Sequence, residues 1–338
     1  AYAWTNRGLI DERRGNVSEA ESKYRRALEI DRAQDAAWDN LTRLSCRNRR
    51  CASIEAELRE AIAKSPEALG ARNALVFALI SQEKIDAAGV EAKKVLKADE
   101  RNVRAMQLLA QVYMREKKFE LARMVLENAR AVDANDAATH NALGLALLQL
   151  KQRPQAIESF RMAAQLKPTF AEARNNYGAL LIEGQDFEGA VRELEAAVAA
   201  APEFVMAHLN LGSAYRGLQQ VQRALQEYQR VLKAQPALAD VYFNLAVTHL
   251  DQEIAGIDPI ERLNTAVAYF DQYKERGGRD DRVEQYVKDA KKGIEKEQRR
   301  RERERKDQLK KAEQAKQQST PPPAGSPPGS GKLSQDEK

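Results

Sequence analysis

The chain repeats its pattern of residue sizes every 34 positions, and this period restricts the fold more than any other property. With position 1 of the unit at Ala1, seven frames follow without insertion, starting at residues 1, 35, 69, 103, 137, 171 and 205. Position 4 holds Trp4, Trp38, Arg72, Met106, His140, Arg174 and His208. Position 8 holds Gly8, Thr42, Val76, Ala110, Gly144, Gly178 and Gly212, and position 20 holds Ala20, Ile54, Ala88, Ala122, Ala156, Ala190 and Ala224. Pro66, Pro168, Pro202 and Pro236 share position 32, where proline ends a helix before the next frame opens.

Each frame contains two amphipathic stretches of about a dozen residues, too short to be stable helices alone in water. A pair cannot bury its own apolar faces, so neighbouring pairs must stack. Small residues at positions 8, 20 and 27 let backbones approach, and larger ones at 4, 7, 11 and 24 fill the space between. Gly144→Leu is therefore expected to overpack its pair by about 1–3 kcal/mol. Ile54 and the polar Arg7 and Asp11 depart from the pattern, so the first two frames are expected to pack more loosely.

An eighth frame starts at 239, with Tyr242, Leu245 and Ala246, but an insertion near 251–258 delays its second helix. Asp258 as N-cap, Pro259 and Glu261 form a capping-box start, and Ala266 and Phe270 then take the roles of positions 20 and 24. The stripe Val283, Tyr286, Val287, Ala290 and Ile294 predicts a capping helix over 279–296. Residues 297–318 read as a charged, solvated helix, and the Pro/Gly/Ser-rich tract 319–338 as disordered. The predicted fold is all-α: a right-handed superhelical solenoid of antiparallel helix pairs, about eight repeats over 1–278, closed by the C-terminal capping helix.

The frames from 137, 171 and 205 carry Leu143-Gly144, Tyr177-Gly178 and Leu211-Gly212, with Ala156, Ala190 and Ala224 at position 20 and Pro168, Pro202 and Pro236 at position 32. In these features the chain resembles the tetratricopeptide repeat family over about 1–278. The resemblance implies a non-enzymatic scaffold that binds partner polypeptides, as extended segments or as subunits of a complex, in a concave groove. The whole chain is also similar to envelope-associated bacterial members of that family, the gliding-motility lipoproteins of myxobacteria among them. That implies a cell-envelope assembly such as a motility machinery, and membrane contact only indirectly or through an N-terminal anchor outside this chain. The alternatives are a recruiting or chaperone-like module of an enzyme or secretion system, and an RNA-binding helical repeat.

Charge argues against the last of these. The net charge is +5, but residues 288–316 alone carry 13 Lys or Arg against 7 Asp or Glu, so the rest of the chain is slightly acidic. A nucleic-acid surface would place its excess on the folded body, and no nucleic-acid partner is expected. No catalytic constellation, metal site or cofactor site is read from the sequence. His140, His208 and His249 occupy packing positions at no metal-ligand spacing. The stretch "GSPPGSGK" fails the phosphate-loop spacing, because Ser326 stands in place of the first glycine and Leu333 follows Lys332.

Cys46 and Cys51 flank the turn of the second frame. They are either ordinary thiols or a disulfide, which requires Cα atoms within about 7 Å and implies an oxidising compartment such as the periplasm. The alternative placement is cytoplasmic.

At 100° per residue, positions 4, 7, 8 and 11 of the first stretch cluster on a core side, and positions 2, 5, 6, 9 and 13 on the side left for binding. Position 6 holds Asn6, Asn40, Asn176, Asn210 and Asn244, and position 5 holds Asn73, Asn141 and Asn175. An amide donates and accepts together, so an asparagine ladder can hold an extended peptide backbone of any sequence; otherwise asparagine is merely tolerated there. The same face is expected to be polarised, with Arg13, Arg47 and Arg115 early and Glu172, Glu183, Asp240 and Asp251 late.

Overall fold

The computed structural model describes residues 1–319, and among these there are seventeen helices and no strand. The disorder expected for the Pro/Gly/Ser-rich tract falls essentially outside the described residues. The first helices of successive frames are α1 (Tyr2–Arg13), α3 (Asp35–Arg47), α5 (Leu69–Ser81), α7 (Val103–Arg115), α9 (Ala137–Gln149), α11 (Ala171–Glu183), α13 (Val205–Gly217) and α15 (Ala239–Asp251). The second helices are α2 (Val17–Ile30), α4 (Cys51–Lys64), α6 (Ile85–Ala98), α8 (Phe119–Val132), α10 (Arg153–Leu166), α12 (Phe187–Ala200), α14 (Val221–Ala234) and α16 (Pro259–Glu275), and α17 (Arg282–Ser319) follows. The chain divides into two compact units, Ala1–Gln220 and Val221–Lys338.

In the first unit every turn between paired helices is built alike. Position 15 takes a left-handed backbone at Gly15 (φ 80°), Arg49 (61°), Glu83 (56°), Lys117 (58°), Lys151 (60°), Gln185 (62°) and Gln219 (59°). The next amide closes the turn, as Gln152 N donates to Leu147 O over 2.9 Å, which satisfies a carbonyl the helix end leaves open. Second helices stop at position 30, and the following residue leaves the helical region, as at Ser65 and Lys167 (φ −143° and −133°), which a following proline favours.

Packing within a pair is set by complementary volumes at positions 8 and 24. A Cβ on Gly8 would lie 2.6 Å from Tyr24 Cε1, one on Gly144 2.7 Å from Phe160 Cε1, and one on Gly178 2.6 Å from Leu194 Cγ. The third frame inverts the pairing, with Val76 beside Ala92, both fully buried. The second frame is overfilled: Thr42, Ile54 and Leu58 are all buried at the same level. There α3 packs mainly on α5 and little on its own partner α4, unlike the other pairs of this unit. Gly70 permits this, since a Cβ there would meet Asp35 Oδ1 at 1.9 Å. A cleft of about 370 Å³ opens beside α4, floored by Leu28, Trp38, Ala61, Ala68 and Ala71. The loosening expected for the first two frames is found only in the second, where large side chains fill positions 20 and 24 together; α1 packs on α2 as closely as the other pairs do.

In frames two, five, six and seven, position 4 ties the frame to the preceding loop through the carbonyl of position 32, whereas Arg72 in the third frame bonds Glu91 instead. Trp38 Nε1 donates to Arg32 O (2.9 Å), Arg174 Nε to Pro168 O (2.6 Å), and His140 and His208 Nε2 lie 2.9 and 2.8 Å from the Ala134 and Pro202 oxygens. These two histidines are structural ties, 6% exposed each.

In the second unit, α16 begins four residues later in its frame than the other second helices do, while its core residues Ala266 and Phe270 sit eight later. The helix has gained one extra turn at its start. Asp258 caps it, accepting from Ile260 N (2.9 Å) and Glu261 N (3.3 Å). Aromatic rings bind α15, α16 and α17 together: Phe243 lies 5.4 Å from Tyr273 and Phe270 5.7 Å from Tyr286, centroid to centroid. Val283 and Ala290 of α17 are buried against this cluster. The capping segment and the charged segment form one uninterrupted helix, distinguished only by side chains.

Candidate functional site

The free face of the first helices in the first unit is where unspent polar groups collect, and it changes character along the array. Among frames two to four it is closed by side chains. Arg104 donates to Asp39 Oδ1 over 2.6 Å, across 65 residues and past an intervening helix. Arg43 pairs with the other Asp39 oxygen at 2.8 Å and places its guanidinium 5.6 Å from the Phe77 ring centre.

Among frames five to seven the face is open. Asn141, Asn176 and Asn210 are partly exposed. Asn176 Nδ2 donates to Asn141 Oδ1 (3.0 Å), and Asn210 Nδ2 to Asn175 Oδ1 (2.9 Å). Position 6 of one frame thus bonds position 5 of the frame before. Each donating amide keeps its carbonyl oxygen and a second N–H, and the bond fixes where these point. Beside them stand two exposed apolar side chains, Leu145 at 40% and Met206 at 39%. Sequence reasoning missed both. Apolar residues on a helix default to the core, and the only signal was their register at positions 9 and 2.

The structure separates the two asparagine positions that a helical wheel places together. Position 5 faces the next first helix. Asn73 and Asn175 are 5% and 8% exposed, so neither lines an open groove. Asn73 donates to Asn102 Oδ1 (3.2 Å), and Gln107, at the same position, to Thr139 Oγ1 (2.9 Å). Asn6 is exposed and Asn40 half-buried. Asn244, in the second unit, donates to its own helix at Asp240 O (3.0 Å).

The expected charge polarity is largely absorbed by pairing between frames. Arg47 bonds Glu12 at 2.9 Å, Arg115 pairs with Glu83, and Glu183 pairs with Arg153. Exposed pairs of this kind contribute about 0–1 kcal/mol each. Arg13 and Glu172 of the first unit and Asp240 and Asp251 of the second are exposed. Cys46 and Cys51 are joined as a disulfide with Cα atoms 4.3 Å apart, and they tie α3 to α4, the pair within the first unit that packs least closely. Among the described residues no three His, Cys, Asp or Glu side chains converge as metal ligands, and no helix is long and apolar enough to cross a membrane.

Stacked helix pairs with an open, amide-lined face define a helical-repeat protein, a fold that serves in general as a scaffold for protein–protein interaction. The chain belongs to the tetratricopeptide repeat family. Sequence models of that description match residues 79–146, 178–239 and 209–281, together about half of the chain. No curated protein matches it in sequence. Among solved structures, it is similar to the APC/C hetero-tetramer Cut9–Hcn1 at 16% identity and a TM-score of 0.68, over 81% of this chain and 52% of that one. The chain thus spans about half the length of that relative. It also matches a tetratricopeptide repeat protein from Parabacteroides merdae (15% identity, TM-score 0.49, 79% and 98% covered). YrrB, described as having an unusual peptide-binding site, matches at 21% identity and a TM-score of 0.42, over 54% of this chain and 95% of that one.

Proposed function

We propose that the protein is a non-enzymatic scaffold that holds an extended segment of a partner polypeptide on the first helices of frames five to seven. The observation that carries this reading is the pairing of Asn176 and Asn210 with the preceding frame beside exposed Leu145 and Met206. Amides held at the helical spacing address a peptide backbone, and the two apolar side chains address alternate side chains of the bound strand. Glu172 stands exposed at the same face and selects a basic or N-terminal group on the partner. A cell-envelope setting belongs to the same proposal, supported by the Cys46–Cys51 disulfide, which persists in oxidising compartments. Assembly into a motility machinery rests on resemblance alone.

The test is photocrosslinking from positions 141, 176 and 210 to capture the partner segment, followed by affinity measurement with the captured peptide. The double change Asn176→Ala with Asn210→Ala is expected to weaken binding at least about tenfold. Each change also removes a bond between frames, so Asn73→Ala serves as control: it costs comparable stability and leaves affinity unchanged. Equal loss of affinity in control and double variant rules out the amide clamp.

A further inference from the structure

We infer that the outward face of α17 is a docking surface for an anionic phospholipid membrane. Lys288, Lys292, Lys296, Arg299, Arg303, Lys306 and Lys310 follow one another at steps of four or three residues. At 100° per residue all seven fall within an arc of about 80°, and at 1.5 Å per residue they extend along about 33 Å. All seven are exposed. Val283 and Ala290, buried on the opposite side, fix which way the stripe points. Read as a sequence, this segment mixes acids and bases; folded, it sorts them. Glu297 and Glu304 lie on the far side, where they pair with Arg300 at 2.6 Å each. Only marginal carboxylates reach the stripe: Asp289 to Lys292 (3.9 Å), Glu295 to Arg299 (3.8 Å) and Glu302 to Lys306 (2.8 Å). Lys288, Lys296, Arg303 and Lys310 take part in no ion pair among the described residues.

The occupant follows from shape and chemistry. A straight row of cations on one side of a rod meets a plane with all its charges at once, whereas a nucleic-acid backbone curves away from it. Five of the seven are lysines, compact charges without the forked geometry that arginine uses on individual phosphates. No aromatic residue interleaves the stripe, so nothing stacks on bases. No apolar residue lies within it either, so the helix rests on headgroups rather than inserting between them. Attraction of several lysines and arginines to an anionic leaflet suffices for such binding.

The test is cosedimentation of the full chain with vesicles of phosphatidylcholine alone and of phosphatidylcholine mixed with phosphatidylglycerol. Binding is expected only to the mixed vesicles, and it should fall steeply with salt. Changing Lys288, Lys296, Arg303 and Lys310 together to Gln is expected to weaken binding at least about tenfold. Changing Lys291, Arg300, Arg305 and Lys311 to Gln removes the same charge from other faces and should leave binding within about twofold. Glutamine keeps helix propensity, and circular dichroism checks that α17 persists. Equal loss in both variants, absence of binding to the mixed vesicles, or tighter binding to RNA than to vesicles overturns the inference.

Discussion

Six residues with side chains occupy a left-handed turn position that only Gly15 fills without strain. Forcing an ordinary residue into that region costs about 1–2 kcal/mol, partly offset by the unfolded-state entropy that glycine adds. Lys151→Gly is therefore expected to stabilise the protein by about 0.5–1 kcal/mol, read as a raised midpoint in denaturant unfolding. Gly144 is the opposite case. The Phe160 ring already stands where its Cβ would go, so Gly144→Leu should cost about 1–3 kcal/mol or more. Glu55 supplies a pH response. Lys84 Nζ, at 2.8 Å, is the largest influence holding its carboxyl at about 2, well below the ordinary 4.5; burial opposes the shift, and Gln82 and Arg59 add to it. A depressed carboxyl contributes stability in full above its unfolded value and loses it as pH falls. The contribution of Glu55 should thus fade between about pH 4.5 and 2, and acid titrations of Glu55→Gln should show a shallower loss over that window.

At the scale of the element, α4 is the weak member of the first unit. It lacks the close fit that other second helices have with their partners, and side-chain ties supplement its packing on α5: the disulfide to α3, the bonds from Gln82 and Lys84 to Glu55, and the Arg25–Glu57 ion pair to α2. The loop that the disulfide closes is short, so its loss removes about 2 kcal/mol by chain entropy. Reduction should raise amide exchange in Cys51–Lys64 well before it does so in Phe119–Val132, measured by hydrogen exchange with mass spectrometry. Uniform acceleration across both helices would show that α4 is held no differently from the rest. Overfilling at Ile54 was readable in the sequence as a departure from alanine. That α3 would respond by packing on α5 was not, because it depends on Gly70 lying opposite Asp35 in another frame.

For the whole molecule, the helix pairs and their register followed from spacing, because seven frames repeat one solution to the same packing problem. The candidate site was only half legible. Periodicity identifies the side of a helix, yet in frames six and seven positions 5 and 6 differ in what they face: one a neighbouring helix, the other open space. Asn175 and Asn176 sit on opposite sides of that line, and only the stacking of one frame on the next draws it. The same holds for Arg47 and Glu183, whose partners Glu12 and Arg153 belong to other frames. The left-handed turns all close through the same backbone bonds, as Lys151 N to Leu148 O at 3.0 Å illustrates, and the seams between frames reuse a few kinds of contact. Such an array works like a ruler cut from interchangeable segments. Excision of one segment leaves the remaining ones meeting neighbours of a familiar kind, so evolution can alter reach by whole steps while inventing no new junction.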